Sequence, residues 1–197
     1  DYISDEQISG IRVDEDTKRV YPYSTLLANV LGFVGTDNVG LEGIEAYYNS
    51  DLPEIPGKIV GRTDSKGRET HFTNEQYHAP TDGKDIVLTI DATIQSIVEK
   101  YLSKAIKENI AQYGMAVVMR PSTGEVLAMA NYPSYDTNEP FTPNTDELKN
   151  KWEILSKKEK SEELAAMWRN KVISVTQEPG STFKIVTATA ALEENVG

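Results

Sequence analysis

Two apolar runs joined by a tight turn constrain the fold of this chain more than any other stretch. Residues 115–120 and 125–130 are rich in Met, Val and Ala, and the four residues between them are Pro-Ser-Thr-Gly. This pattern predicts a β-hairpin. Because apolar side chains occupy adjacent as well as alternate positions, we expect a sheet covered on both faces. A two-stranded hairpin is not stable alone, so the sheet needs further strands.

An amphipathic helix is predicted directly before this hairpin. Apolar residues recur at spacings of one, three and four between Ile94 and Ile110, which is typical of a helix with one apolar face. Asp91 is suited to cap its start, and Gly114 to end it in the left-handed conformation. Residues 85–90 are rich in β-branched side chains and predict a strand. Helices packed on the faces of an antiparallel sheet indicate the α+β class.

Glycines and prolines divide the chain into two predicted domains. They are frequent in residues 50–84, where 58–62 and 68–72 are predicted to pair as a hairpin. We expect an interdomain joint there, with one domain at 1–84 and the other at 85–197. Each of two segments in the first domain, 26–35 and 46–49, predicts a short helix. In the second domain, residues 145–168 predict one or two surface helices.

Charge and composition exclude several classes of function. A formal net charge of -11 argues against nucleic acid or an anionic membrane as the principal partner. The sequence has no Cys, so disulfides and thiol or Cys-zinc sites are excluded. His71 and His78 are seven residues apart, which is not a metal-binding spacing, and we expect neither a metal nor a cofactor. No run of 18 apolar residues occurs, so these residues are expected to carry no membrane anchor.

The candidate reactive stretch is residues 178–184, Glu-Pro-Gly-Ser-Thr-Phe-Lys, followed by an apolar run at 185–192. Pro179 and Gly180 predict a turn that delivers Ser181 to the first turn of a buried helix. Lys184 follows one turn later, on the same side as the Ser181 hydroxyl. A Lys desolvated among apolar neighbours can act as the base that activates a serine nucleophile. The same four residues also fit a capped helix with a surface lysine, and the local pattern does not decide between the two.

Several motifs together resemble the class B penicillin-binding proteins, the monofunctional transpeptidases of bacterial cell-wall synthesis. The resemblance runs in order along nearly the whole chain. It rests on Arg19 with Tyr21-Pro22, on 31–35 and 40–45, on 88–91 with Ile94-Gln95, on 121–129 and 131–136, on Arg169-Asn170, and on 178–184. The first three resemble the pedestal, or dimerisation, domain, and the others resemble the start of the transpeptidase domain. Agreement of independent motifs in order is far more specific than any one of them.

The resemblance implies roles for Ser181 and Lys184. Ser181 would attack the D-Ala-D-Ala carbonyl of a peptidoglycan stem peptide and form an acyl-enzyme, which the amine of a neighbouring strand would resolve into a cross-link. Lys184 would accept the serine proton, and the Ser181 backbone N–H would be one oxyanion donor. β-Lactam antibiotics would acylate the same serine. The family is anchored by an N-terminal transmembrane helix on the extracytoplasmic face of the cell membrane, where glycosyltransferase or divisome-type partners are expected.

The chain also departs from the family pattern. The S-x-N and K-[ST]-G elements of the family should follow the S-x-x-K helix, and residues 185–197 contain neither. We therefore expect a truncated transpeptidase domain that is inactive alone and needs the remaining C-terminal segment to complete its fold. Two alternatives are a β-lactam sensor domain, although such sensors lack the pedestal, and a docking pedestal for cell-wall synthesis complexes. The pedestal is similar to enzymes of Firmicutes, including the sporulation branch.

Overall fold

The computed structural model describes residues 17–54, 57–60 and 76–194. It is an α+β structure, as predicted, whose first part is built from two short helices. Helix α1 is Ala28–Leu31 and helix α2 is Gly43–Tyr47. A bridge between Val34 and Gly40 closes the loop that joins them. Both predicted helices are therefore present, each close to its expected position.

A short antiparallel pair follows the two helices. Strand β1, Lys58–Val60, pairs with strand β2, Gln76–His78, in the register Lys58 to His78. The sequence predicts that 58–62 pairs with 68–72. The range 68–72 lies outside the described residues, and the observed partner of β1 is β2. His71 also lies outside the described residues. His78 is exposed at the end of β2.

Helix α3, Ala92–Glu108, is the long amphipathic helix that the sequence predicts. The Asp91 carboxylate caps it by accepting hydrogen bonds from the backbone N–H groups of Thr93 at 2.8 Å and Ile94 at 3.0 Å. The helix ends earlier than predicted, and the left-handed residue after it is Ile110, with φ 52°, rather than Gly114. Gly114 serves close packing instead, because an added Cβ would lie 2.5 Å from Cδ1 of Ile106 on α3.

The central hairpin is confirmed. Strand β3, Gly114–Met119, pairs antiparallel with strand β4, Val126–Tyr132, and the register shifts between Val118 and Met119. Helix α3 packs against both strands. The opposite face is less covered, since Val117 is 43% and Met119 52% exposed. The described part of the chain therefore covers one face of the sheet well and the other only in part.

The strand predicted at 85–90 is wrong, because this segment forms no ladder and bonds to β4 only near its end. Its hydrogen bonds to β4 are few. The Thr89 hydroxyl donates to the Val126 carbonyl at 2.7 Å, and the Asp91 N–H donates to the Leu127 carbonyl at 2.9 Å. The next backbone position on this edge of β4 is Met129, and its N–H and carbonyl are hydrogen-bonded by the side chain of Gln95. Since a side chain occupies the edge at Met129, no backbone partner from this segment pairs there.

The remaining helices lie C-terminal to the hairpin. Helix α4 is Asp146–Lys151, a 3-10 turn covers Trp152–Ile154, and helix α5 is Lys157–Trp168. These helices agree with the one or two helices predicted for residues 145–168. Ser156 and Glu159 form a capping box at the start of α5. Hydrogen bonds from the Ser156 hydroxyl and backbone lower the pKa of the Glu159 carboxyl from its ordinary value. Helix α6 is Lys171–Ser174, a second 3-10 turn covers Gly180–Thr182, and helix α7 is Phe183–Glu193.

The main core lies where the two predicted domains meet. Ala28 and Phe33 come from the first part of the chain, and Tyr135 and Met167 from the second, and together they form one buried cluster. The Phe33 and Trp168 ring centroids are 4.9 Å apart. The two parts are thus packed together through a shared aromatic core. Within the described ranges, no helix is both long and apolar enough to cross a membrane.

Candidate active site

Ser181 lies in a helical turn at the end of an irregular segment. Residues 175–179 have no regular secondary structure, Gly180 adopts φ 51°, and the 3-10 turn Gly180–Thr182 continues into α7. The left-handed conformation of Gly180 explains the glycine before Ser181. Nothing among the described residues lies within 4 Å of a Cβ built on Gly180. The predicted turn and helix start are therefore both present, and Ser181 is exposed at their junction.

Lys184 lies three residues after Ser181, in the first turn of α7. This spacing across a 3-10 turn brings positions i and i+3 to the same side. Lys184 is exposed, as is nearly the whole helix, including Ile185 at 70% and Leu192 at 80%. The expectation of a buried helix is wrong for the described residues, because none of their elements packs over α7. They likewise supply no apolar surroundings that would desolvate the Lys184 amine.

Two asparagines tie the segment before Ser181 to the hairpin. Asn170 caps α6 by accepting the Val172 N–H at 3.1 Å, and the same oxygen accepts Nδ2 of Asn131 on β4 at 3.0 Å. Asn131 is 6% exposed, and its Oδ1 is buried with no hydrogen-bond donor among the described residues. Lys171 follows the cap, and burial together with the charge of Arg169 lowers its pKa from the ordinary value. The motif comparison included Asn170, but no sequence signal indicated its contact with Asn131.

The loop after β4 is hydrogen-bonded to the first part of the chain. The Tyr135 hydroxyl donates to the Ala28 carbonyl at 3.1 Å, and the Ser134 hydroxyl donates to the Thr25 carbonyl at 3.0 Å. Further along, Thr137 N–H donates to the Ser24 carbonyl at 3.1 Å. These bonds hold the loop that follows β4 against α1 and the residues just before it.

A buried carboxylate organises the polar side of the same junction. Glu45 is 9% exposed and pairs with the Arg19 guanidinium, whose Nε lies 3.0 Å from Oε1. The Tyr21 hydroxyl donates to Glu45 at 3.2 Å. Burial, and then the adjacent Glu45 charge, raise the pKa of Tyr21 above its ordinary value. Arg19 and Tyr21 belong to the pedestal motif, so the motif has a structural role in holding Glu45.

No cluster of His, Cys, Asp or Glu that could hold a metal ion occurs in the residues that the structure covers. The geometry instead presents a serine hydroxyl at a helix start with a lysine one turn away. The positive end of a helix favours negative charge that develops beside it. This arrangement is suited to nucleophilic acyl transfer.

Two family models match the chain, one after the other. Residues 2–88 match the penicillin-binding protein dimerisation domain, and residues 114–197 match the penicillin binding protein transpeptidase domain. This chain belongs to the class B penicillin-binding proteins. The family predicted from the motifs is thereby confirmed, and the Ser181 stretch lies inside the transpeptidase match.

Individual relatives of this class B penicillin-binding protein align with nearly the whole of this chain. Stage V sporulation protein D of Bacillus subtilis is 37% identical over 95% of this chain and 26% of its own length. Peptidoglycan D,D-transpeptidase FtsI of Escherichia coli K12 is 34% identical over 100% of this chain and 30% of its own length. The crystal structure of penicillin binding protein 3 from Mycobacterium tuberculosis, complexed with aztreonam, superposes with a TM-score of 0.64 at 28% identity, over 91% of this chain and 32% of that chain. The chain thus spans about a quarter to a third of the length of these relatives.

Proposed function

We propose that the protein containing this chain is a serine D,D-transpeptidase with Ser181 as its nucleophile. The observation that carries the proposal is the position of Ser181, in the 3-10 turn that starts α7, with Lys184 one turn later and inside the transpeptidase match. The substrate class is the D-Ala-D-Ala end of a peptidoglycan stem peptide. The relatives named as D,D-transpeptidases support this choice.

The proposed reaction has two steps. Ser181 Oγ attacks the penultimate D-Ala carbonyl while the neutral Lys184 amine takes the hydroxyl proton, and the terminal D-Ala leaves with a proton as the acyl-enzyme forms. The amine of a neighbouring stem peptide then attacks the ester, restores the serine and completes the cross-link. A β-lactam enters the same first step, with opening of its ring. A neutral Lys184 requires burial that the described residues do not provide, so we place its covering in a further part of the protein.

We also propose that the 197-residue chain alone is inactive, because residues 185–197 contain no S-x-N or K-[ST]-G element. The proposed arrangement is a pedestal at 1–84 and a transpeptidase unit at 85–197, completed by a further segment. The proposed location is the extracytoplasmic face of the cell membrane, with glycosyltransferase or divisome-type partners. The match of residues 2–88 to the dimerisation domain favours this over a β-lactam sensor. A role in sporulation stays a prediction that the Bacillus subtilis relative supports.

The test is covalent labelling of the full-length protein with a fluorescent penicillin. We expect one adduct per molecule, located at Ser181 by peptide mass, and none in Ser181→Ala. Lys184→Ala should slow labelling by about 100-fold or more, since a general base contributes roughly that much. Labelling of Ser181→Ala at the wild-type rate would refute the assignment. Stoichiometric labelling of the isolated 197-residue chain would refute its proposed inactivity.

Repeated release of D-Ala distinguishes a transpeptidase from a β-lactam sensor. A transpeptidase releases D-Ala repeatedly from a stem peptide when an acceptor amine is present, whereas a sensor is acylated by penicillin without such turnover. A docking role for the pedestal is compatible with either, and Ser181→Ala should retain any such binding in pull-down experiments.

A further inference from the structure

Among the described residues, the segment that carries Ser181 is held to the sheet upstream, at α6. Residues 175–179 are exposed and have no regular secondary structure, and the hydrogen bond of the following turn, from the Thr182 N–H to the Pro179 carbonyl at 3.2 Å, is local. The last packed element before Ser181 is α6, which contacts both β3 and β4. Among the described residues, the position of α6 therefore decides where the nucleophile segment leaves the sheet.

Helix α6 is a single turn, and one turn is too short to be stable without outside contacts. Its start is held by Asn170, whose Oδ1 accepts the Val172 N–H at 3.1 Å. Its end is held by the Asn170 carbonyl, which accepts the Ser174 N–H at 3.1 Å and the Ser174 hydroxyl at 2.7 Å. Asn170 Nδ2 also lies 3.3 Å from Sδ of Met129 on β4. Asn170 thus accepts hydrogen bonds from Val172 at the start of the turn and from Ser174 near its end, while a bond from the Val175 N–H to the Lys171 carbonyl at 3.2 Å closes the turn without it.

The hydrogen bond between Asn131 and Asn170 has only one workable direction. The Val172 N–H can only donate, so Asn170 must present Oδ1 to it. The same Oδ1 lies 3.0 Å from the Asn131 amide, so Asn131 must present Nδ2. If the Asn131 amide were reversed, two carbonyl oxygens would face each other. The helix cap therefore fixes the orientation of both amides.

This orientation leaves Asn131 Oδ1 buried without a donor among the described residues. An unpaired buried carbonyl is unfavourable, whereas an apolar side chain of similar size would fill the space without that penalty. A residue selected only for packing has no need of the amide. The group that makes Asn131 useful is its Nδ2, which donates to Asn170.

We propose that Asn131 is a positioning residue for Ser181. Its Nδ2 fixes Asn170, Asn170 fixes the start of α6, and α6 sets the path of residues 175–180 to the nucleophile. The inference rests on the proposed function of Ser181, and it adds a residue on β4, fifty positions upstream in the sequence, to the machinery of that site.

The decisive comparison is between two isosteric substitutions in the full-length protein. Asn131→Asp replaces the donor with an oxygen that faces Asn170 Oδ1, so the pair is broken. Asn170→Asp keeps an oxygen that accepts from both Asn131 and Val172, and Asp is a good N-cap. We expect the acylation rate constant with a fluorescent penicillin to fall about tenfold or more in Asn131→Asp, since small displacements of a reacting group have effects of that size. Asn170→Asp should lose clearly less.

Stopped-flow labelling separates the acylation rate constant from the dissociation constant of the complex that precedes it. Displacement of the nucleophile should lower the rate constant at an unchanged dissociation constant. Asn131→Ala removes both the donor and the unpaired oxygen, so it should remain folded and still acylate slowly. Asn150→Asp, the same substitution at an exposed position of α4, is the control and should match wild type.

Equal losses in Asn131→Asp and Asn170→Asp would overturn the inference, as would wild-type acylation by folded Asn131→Ala. A lower melting temperature with an unchanged rate per folded molecule would reduce Asn131 to a structural residue and also overturn it. Labelling of wild type at Ser181 shows independently that Ser181 is the reactive serine on which the inference rests. Absence of that labelling defeats the proposed function and this inference together.

Discussion

At the scale of single residues, Gln95 takes the place of a neighbouring strand. Its Nε2 donates to the Met129 carbonyl at 3.0 Å, and its Oε1 accepts the Met129 N–H at 2.8 Å. An amide side chain offers the same donor and acceptor as a peptide group, so the edge of β4 is satisfied there. Oε1 of Glu99 accepts from Gln95 Nε2 at 2.7 Å and from the Leu27 N–H at 2.8 Å. Glu99 therefore fixes the direction of the amide and links it to α1.

Gln95→Leu should loosen β4 because it fills the same space without donor or acceptor. Gln95 is fully buried, so the Met129 N–H and carbonyl would lose their partners, at about 1–3 kcal/mol for each group left unpaired. Hydrogen exchange in the full-length protein should show a faster Met129 amide. Ser96→Ala, on the exposed side of the same helix, is the control. Unchanged protection of β4 in Gln95→Leu would contradict the edge-cap role.

At the scale of elements, two glycines allow α1 and α2 to meet backbone to backbone. Gly32 follows α1 with φ 73° and ψ -154°, and a Cβ built on it would lie 1.8 Å from the Glu42 carbonyl oxygen just before α2. Gly43 has φ 61°, and its Cβ would lie 2.5 Å from the Val30 carbonyl oxygen. The two helices are thus joined by close contacts that no side chain permits.

Gly32→Ala should be strongly destabilising. The backbone conformation is essentially restricted to glycine, which accounts for about 1–3 kcal/mol, and the contact with a backbone oxygen adds to it. Gly124→Ala is the matched control, because Gly124 has φ 77° but nothing within 4 Å of its Cβ position. That variant measures the cost of a positive φ without a close contact, at about 1–2 kcal/mol. Thermal unfolding should rank Gly32→Ala well below Gly124→Ala, and equal melting temperatures would show that the contact relaxes freely.

Local patterns predicted the elements whose stability is local. Helix α3 was found from its apolar spacing and its Asp91 cap, and the hairpin from two apolar runs and a turn. The segment 85–90 has the composition of a strand, but composition does not show which partner is available, and Gln95 and Thr89 bond the edge of β4 with side chains instead. The prediction that α3 ends at Gly114 is wrong because a glycine required for packing has the same sequence signal as a glycine required for a turn.

At the scale of the whole molecule, the sequence indicates a candidate site at residues 178–184 but not the contacts that support it. The residue types and spacing of 178–184 indicated a serine with a neighbouring lysine, and the structure places them in consecutive helical turns. The contact of Asn131 with Asn170 spans 39 positions, and the shared core joins Phe33 to Tyr135, so neither leaves a periodic signal. The predicted joint at 50–84 separated two segments that in fact pack tightly together. Long-range pairing is the part of the fold that one sequence does not encode locally.

The packing of the two parts of the molecule depends on one amide at their interface. Asn29 on α1 is 8% exposed, and its Nδ2 lies 3.0, 3.1 and 3.4 Å from the carbonyl oxygens of Met167, Trp168 and Arg169. The last carbonyls of a helix have no partner within the helix. Asn29 supplies donors to the end of α5 and so joins that helix to α1.

Asn29→Leu keeps the volume of the side chain and removes both of its N–H groups. The carbonyls at the end of α5 then lose their donor in a buried setting, and we expect a loss of about 1–3 kcal/mol. Because the contact joins two parts of the molecule, hydrogen exchange should accelerate in α1 and at the end of α5 together. Asn49→Ala is the control, since Asn49 accepts the Gly40 N–H at 2.7 Å within the first part alone. It should leave α5 unchanged, and a response of Asn29→Leu confined to α1 would show that the two parts are held together by the aromatic core without this amide.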